Sequence, residues 1–230
     1  MRVSLPWLDP VSLEFPDPST ALTTPNGLLA AGGDLSPARL LCAYQLGIFP
    51  WFSDGQPILW WSPDPRMVLL PAELHISRSL AKTLRSGRFT FSSDQAFADV
   101  LLGCAGNRRD SDGTWLDIDM QQAYSELHRL GHAHSVETWR DGKLVGGVYG
   151  VALEGIFFGE SMFSRESDAS KAALATLVKA LIPAGYRLID CQVTNPHLAT
   201  LGARQIARQE FMQYLPSTAD ISRPAHWPLQ

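Results

Sequence analysis

Residues 135–182 constrain the fold more than any other stretch. Ser135 to Trp139 reads as a strand, and Asp141-Gly142 after it is a strong hairpin turn. Lys143 to Leu153 and Ile156 to Phe163 read as two long strands joined at Glu154-Gly155. A helix capped by Ser167 or Asp168 then runs to about Ile182, where Pro183 stops it. Arg187 to Val193 forms a further short apolar strand, followed by the turn-helix NPHLATLG. Strands and helices are thus mixed along the chain, and the fold class expected is α+β, a mixed β-sheet flanked by helices.

The rest of the chain divides around this unit. Residues 1–70 are rich in Pro and Trp, with one helix from Ser36, which caps it, through Pro37 in the first turn to Leu46 before Gly47. They read as a small N-terminal α/β domain. Residues 71–109 read as a basic helical segment and loop, and residues 110–230 as the main α/β unit. Two more helices are expected, DQAFADVLLGC over residues 94–104 and a stripe from Asp119 to Leu130 ended by Gly131. The polar stretch Asn107–Gly113 reads as the domain boundary or an exposed loop.

Composition excludes several classes. The chain has 230 residues, 45% of them hydrophobic, which is ordinary for a globular protein. A net charge of −4 argues against a protein that coats nucleic acid. The charge is uneven: −3 over residues 1–70, +3 over 71–109 and −4 over 110–230. Three scattered cysteines, with no C-x-x-C, fit neither a disulfide scaffold nor a zinc ribbon. No apolar run approaches the ~20 residues that span a bilayer, and the N-terminus lacks a signal-peptide core, so a soluble cytoplasmic protein is expected.

Four features bear on chemistry. Asp190 and Gln192 sit at the end of a core strand, where alternation puts both on one face; they suit a proton relay or positioning pair, or simply cap the strand. Cys191 between them has no local base and reads as a buried thiol. Phe157, Met162 and Val148 can floor an apolar pocket with Glu160 as its one charged wall, or be hairpin core. Arg78, Lys82, Arg85 and Arg88 fall on one helical face without interleaved acids. Together with Trp51, Trp60, Trp61 and Trp115, which look exposed, that face either grips a terminal nucleotide or is plain solvated surface. Gly146–Gly150 is neither a P-loop nor a Rossmann turn. His132-Ala133-His134 lacks a third ligand at a helical or hairpin offset, so no metal is assigned.

The stretches PNGLLAAGGDLSPARLLCAYQLGIFPWF, ILWWSPDPR, HISRS, GTW, LHRLGHAHSVETW, LVGGVYGVA, GESMFSR, ASKAAL and LIDCQVTNPHLATLGA occur in this order. Through them the chain resembles the bacterial leucyl/phenylalanyl-tRNA–protein transferases from about Leu28 to Leu215. The resemblance implies a C-terminal domain of the GNAT acyltransferase type. It implies transfer of Leu or Phe (with Met a further donor) from aminoacyl-tRNA to the N-terminal Arg or Lys of an acceptor protein, which marks that protein for N-degron proteolysis. No cofactor and no metal are implied, since the tRNA ester is already activated, and a monomer is expected. Residue by residue, Asp190 and Gln192 match the catalytic pair, with Gln192 contacting the attacking amine and Asp190 holding it and assisting proton transfer. Glu160, Phe157 and Met162 match the aminoacyl pocket, Asn195 a support of the same network, and Trp51 and Trp115 aromatics at the 3′-terminal adenosine. Val148 and Leu177 stand where relatives carry other apolar residues, and both belong to the pocket by this resemblance. The same architecture serves CoA-dependent N-acetyltransferases, but their glycine-containing pyrophosphate turn is missing between Phe163 and the following helix. A non-catalytic RNA-binding module would leave Asp190, Gln192 and Glu160 unexplained.

Overall fold

The computed structural model describes residues 5–106, 117–216 and 223–229. Eleven strands are described: β1 (Trp7–Leu8), β2 (Leu28–Gly32), β3 (Phe49–Pro50), β4 (Leu59–Trp61), β5 (Arg66–Leu69), β6 (Thr90–Ser93), β7 (Ala133–Arg140), β8 (Lys143–Leu153), β9 (Ile156–Ser164), β10 (Leu188–Asp190) and β11 (Arg204–Ile206). The helices are α1 (Pro37–Gln45), α2 (Arg78–Arg85), α3 (Phe97–Gly106), α4 (Ile118–Arg129), α5 (Ala169–Leu181), α6 (Pro196–Ala199) and α7 (Arg208–Met212). A four-stranded sheet runs β1-β2-β4-β3, and a seven-stranded sheet runs β11-β5-β10-β9-β8-β7-β6. In the larger sheet β9 and β10 are parallel and every other neighbouring pair is antiparallel, which makes it the expected mixed sheet of an α+β fold.

The larger sheet gathers strands from well outside residues 110–230. β5 lies between β10 and β11, and β6 forms its edge beside β7. The apolar run Met67-Val68-Leu69 explains the first: buried on both faces, it can only be an interior strand. A division at residue 70 therefore cuts just behind an interior strand of the second sheet. The expected boundary loop Asn107–Gly113 lies outside the described residues.

Strand alternation sorts the two faces. Val148 and Ala152 of β8 point toward α5, where Ala173, Leu174, Leu177, Val178 and Leu181 meet them. Tyr149, Val151 and Leu153 point the other way, toward Phe97, Val100 and Leu101 of α3 and Tyr124 and Leu127 of α4. The glycines of GGVYG serve this packing. A Cβ on Gly146 would stand 2.6 Å from that of Ala169, so the start of α5 sits directly on β8. The helices begin with side-chain caps from Ser36, Ser77 and Asp117. Asp168 is different: it precedes α5 at φ +68° and its carboxylate accepts from Thr83 Oγ1 at 3.1 Å, tying α2 to α5 instead of capping.

One core continues from the small sheet into the α3/α4 side of the large one, taking in Leu29, Leu40, Tyr44 and Trp60 with Tyr124 and Phe158. Trp60 is 0% exposed and donates its indole N–H to Gly32 O at 2.8 Å, which corrects its reading as an exposed aromatic. No helix among the described residues is long and apolar enough to cross a membrane.

Candidate active site

A cavity of about 440 Å³ opens where β3 faces the end of β10. Val148, Phe157, Met162, Leu174 and Ile189 make its apolar walls, Phe49, Pro50 and Trp51 its outer edge, and Glu160, Ser161, Gln192 and Asn195 its polar points. Its shape depends on two backbone irregularities. Opposite Gly150 stands Gly159, but opposite Tyr149 stands Ser161, so Glu160 is the extra residue of a β-bulge. The Phe157 ring covers Gly150, where a Cβ would come within 2.7 Å of Cζ, and so lies flat as the cavity floor.

The bulge aims Glu160 at two phenols. Tyr44 from α1 donates to Oε1 at 2.8 Å and Tyr124 from α4 donates to Oε2 at 2.7 Å, while the two phenol oxygens lie 2.6 Å apart. Gln192 Nε2 donates to Oε1 at 3.2 Å. Burial pushes the Glu160 carboxyl up to about 7; the tyrosine hydrogen bonds pull back, the Asp190 charge adds to the rise and Arg66 opposes it. Proton counting agrees. Three oxygen–oxygen contacts share two phenol protons while Glu160 is ionised, and a protonated carboxyl supplies the third. Burial and the charge of Glu160 keep both phenols protonated far above the ordinary tyrosine value.

Beneath this cluster lies an ion pair. Arg66 Nε and Nη2 donate to the two Asp190 oxygens at 2.8 and 2.6 Å, and Nη1 donates to Gly47 O at 3.1 Å. Both side chains are fully buried. The guanidinium lies between the Phe49 and Phe211 rings, 4.7 and 4.6 Å from their centroids. Asp190 Oδ1 also accepts the Gln192 backbone N–H at 3.0 Å.

Asp190 and Gln192 therefore do not share a strand face. β10 ends at Asp190, and Gln192 has φ +55°, so the chain turns there. Asp190 points to Arg66, behind the cavity, while Gln192 points into it. Of the other expected pocket residues, Phe157, Met162, Val148 and Glu160 line the cavity. Leu177 is fully buried in the core beneath, and Leu174, one turn earlier on α5, lines the cavity. Asn195 lines it too, but its Oδ1 caps α6 by accepting from His197 N–H at 2.9 Å and does not join the Gln192 network. Cys191 is buried and its thiol is pushed up, so it is no nucleophile.

Trp51 is 43% exposed at the cavity edge, 5.7 Å from Trp61, whose indole donates to Trp51 O. Trp115 lies outside the described residues. Arg78, Lys82 and Arg85 are exposed on α2, and Arg88 is exposed beyond its end. Arg88 does not stand free of acids: it pairs with Glu166 at 2.6 Å, which Arg140 also holds. His134 lies against Asp94 at 2.7 Å, and among the described residues no group of three potential ligands could hold a metal ion.

The family model for leucyl/phenylalanyl-tRNA protein transferase matches residues 68–216, and that for its N-terminal domain matches residues 33–64. A leucyl/phenylalanyl-tRNA–protein transferase of Nitrosospira multiformis is 62% identical over 92% of this chain and 90% of its own. The chain belongs to this family. A second member, from Hahella chejuensis, is 58% identical over 96% of this chain and 95% of its own. Among solved structures, the chain is similar to a GCN5-related N-acetyltransferase from Kribbella flavida, with 14% identity, 72% of this chain and 59% of that one covered, and a TM-score of 0.37. As a leucyl/phenylalanyl-tRNA–protein transferase, the enzyme is an aminoacyltransferase.

Arg66, Tyr44 and Tyr124 were not among the residues expected at the candidate site. An arginine at the head of the apolar run MVLL is a signal for Arg66, because a buried guanidinium requires an acid partner. The tyrosines are ordinary members of helical stripes, and only the tertiary meeting of α1 with α4 shows their role.

Replacing Arg66 with Met leaves Asp190 buried and unpaired, with an expected loss of about 3–5 kcal/mol in urea unfolding. Arg66→Met with Asp190→Leu should recover most of that loss without restoring transfer. Equal stability of the single and double variants would refute the pair's role. A second prediction concerns Glu160, whose folded value of about 7 lies above its ordinary one. Its stabilising preference for the protonated form is complete below pH ~4.5 and fades as pH rises through about 7. Glu160→Gln should therefore lose less stability than wild type between pH 5 and 8; parallel curves would show Glu160 ionised throughout.

Proposed function

We propose that the cavity receives the leucyl or phenylalanyl group of the tRNA ester and that Gln192 presents the attacking amine to it. The observation that carries this reading is the orientation of Gln192. Its amide nitrogen is committed to Glu160, so its carbonyl oxygen is left to face the cavity. That oxygen accepts a hydrogen bond from the acceptor's neutral α-amino group and directs the nitrogen lone pair at the ester carbonyl. The peptide C–N bond forms, the ester C–O bond breaks, and the proton lost by nitrogen ends on the ribose oxygen. Asp190 acts by holding the Gln192 turn, with Arg66 fixing its own carboxylate; Glu160 is the titratable group within reach of the amide. No cofactor enters, because the donor arrives activated.

The acceptor in this reading is a protein with N-terminal Arg or Lys, drawn by the −4 charge of residues 110–230. The added Leu or Phe creates the destabilising N-terminus of an N-degron. Trp51 stacks at the 3′-terminal adenosine, with Trp115 assigned the same task by resemblance. Arg78, Lys82 and Arg85 contact acceptor-stem phosphates, while Arg88, neutralised by Glu166, adds less. The enzyme works as a cytoplasmic monomer, where its tRNA donor is found.

Label transfer from radioactive Leu-tRNA to a protein bearing N-terminal Arg tests the reaction. RNase-resistant label is expected with wild type and at least ~100-fold less with Asp190→Ala or Gln192→Ala, the scale of a lost positioning group. Undiminished transfer by Gln192→Ala would remove it from the chemistry. For the tRNA surface, Arg78→Glu with Lys82→Glu should raise the KM for Leu-tRNA and flatten its log–log salt dependence by about 1–2. An unaltered salt slope would place the tRNA elsewhere.

A further inference from the structure

Residues 223–229 lie beyond the stretch matched by the family model, yet they reach the back of the cavity. Trp227 is 3% exposed, an unusual state for so large a side chain. Three contacts fix its indole. Nε1 donates to Ser93 Oγ at 2.9 Å, one face stacks on His134 at 4.2 Å and 6°, and the ring lies 5.8 Å from Phe157 at 28°. The backbone is pinned as well, because Tyr186 donates its phenol proton to His226 O at 2.9 Å.

The geometry carries this anchor straight to the pocket floor. His134 on β7 is paired with Gly150 on β8, and the bare Gly150 is the residue that the Phe157 ring covers. Trp227 therefore stands behind Phe157 on the side away from the cavity, in one apolar cluster with Val148, Leu174 and Ile189. His134 cannot swing aside to let it move, since Asp94 and Gly131 O hold the two ring nitrogens at 2.7 and 3.1 Å.

We propose that Trp227 is a positioning residue of the aminoacyl pocket: by backing Phe157 it sets the depth of the floor and hence which bulky apolar donor side chain fits best. This rests on the reading that the cavity holds the donor side chain. Without the indole, the Phe157 ring recedes and the pocket deepens. The larger phenylalanyl group then gains relative to leucyl, within the modest range that apolar fit allows.

The test measures kcat and KM separately for Leu-tRNA and Phe-tRNA in the full chain. Trp227→Ala is expected to raise the KM for Leu-tRNA about fivefold and move the Phe-to-Leu preference at least about threefold, with kcat within about twofold. Trp227→Phe, which keeps an aromatic face behind Phe157, should restore the wild-type preference, as a purely structural loss would not. Val148→Ala, on the cavity wall, serves as the reference. A preference that shifts in Val148→Ala but not in Trp227→Ala overturns the proposal and leaves the cavity reading intact. If neither variant moves it, both fall. Where Trp227→Ala does not fold, Ser93→Ala, which only unties the indole, takes its place with an expected shift of about twofold; an unmoved preference there overturns the proposal equally.

Discussion

Arg66 and Asp190 are both sealed from water, and most of the active-site geometry hangs on how that is tolerated. Desolvating two charges costs several kcal/mol per ion, so the pair persists only if nearly every polar atom is satisfied. Here the guanidinium has both carboxylate oxygens, Gly47 O and two aromatic faces, and the carboxylate has in addition the Gln192 backbone N–H. Each partner comes from a different element. Gly47 follows α1, Phe49 lies in β3, Phe211 in α7, Arg66 in β5 and Asp190 ends β10. An arrangement so intolerant of a missing partner joins the small sheet, the large sheet and the positive-φ turn at Gln192 in one register. The loss of any one contact would be felt at the Gln192 side chain.

Glu160 uses the opposite electrostatic solution. It has no cation in direct contact among the described residues, only phenols and an amide, and the charge of Asp190 lies nearby. Its carboxyl therefore rises while Asp190, a few residues away in space, is held by a guanidinium. The two acids of the site thus sit in opposed environments: Asp190 is locked in a bidentate pair with Arg66, and burial pushes the Glu160 carboxyl up to about 7. Glu160 touches the amide that faces the cavity, and so the proton inventory of the site resides in this carboxyl and its two phenols.

Much of this was legible in the sequence where the signal is local. The strands from Ser135 to Phe163, the Asp141-Gly142 turn and the helix after Asp168 stand where alternation, turn chemistry and helical periodicity place them, although Asp168 does not cap with its side chain. Period-2 alternation also separates Val148 from Tyr149 correctly. It fails at Asp190 and Gln192 because a positive φ interrupts the strand, and nothing in RLIDCQVTN marks a left-handed glutamine. Glu160 lines the cavity as expected, but the bulge that aims it there carries no signal in the sequence. Arg88 looks like part of a free basic face until the fold brings Glu166, 78 positions later, against it. Trp60 and Trp61 are adjacent in sequence, and only the closure of β4 between β2 and β3 decides which of them is buried.

The two halves of the site answer to different physics, which separates catalysis from donor choice. The polar half is built from charged and shared contacts that hold one geometry, and a displacement there leaves buried polar atoms without partners. The apolar half is built from Val148, Phe157, Met162 and Leu174, whose contacts change gradually with side-chain volume. Behind it lie Leu177 on α5 and Trp227 at the far end of the chain, neither of which touches the cavity. Substitutions in this second layer can alter the floor without reaching Gln192 or Asp190. On the proposed reading, the Leu-to-Phe preference varies through residues such as Leu177 and Trp227, while the ion pair beneath Gln192 tolerates little change.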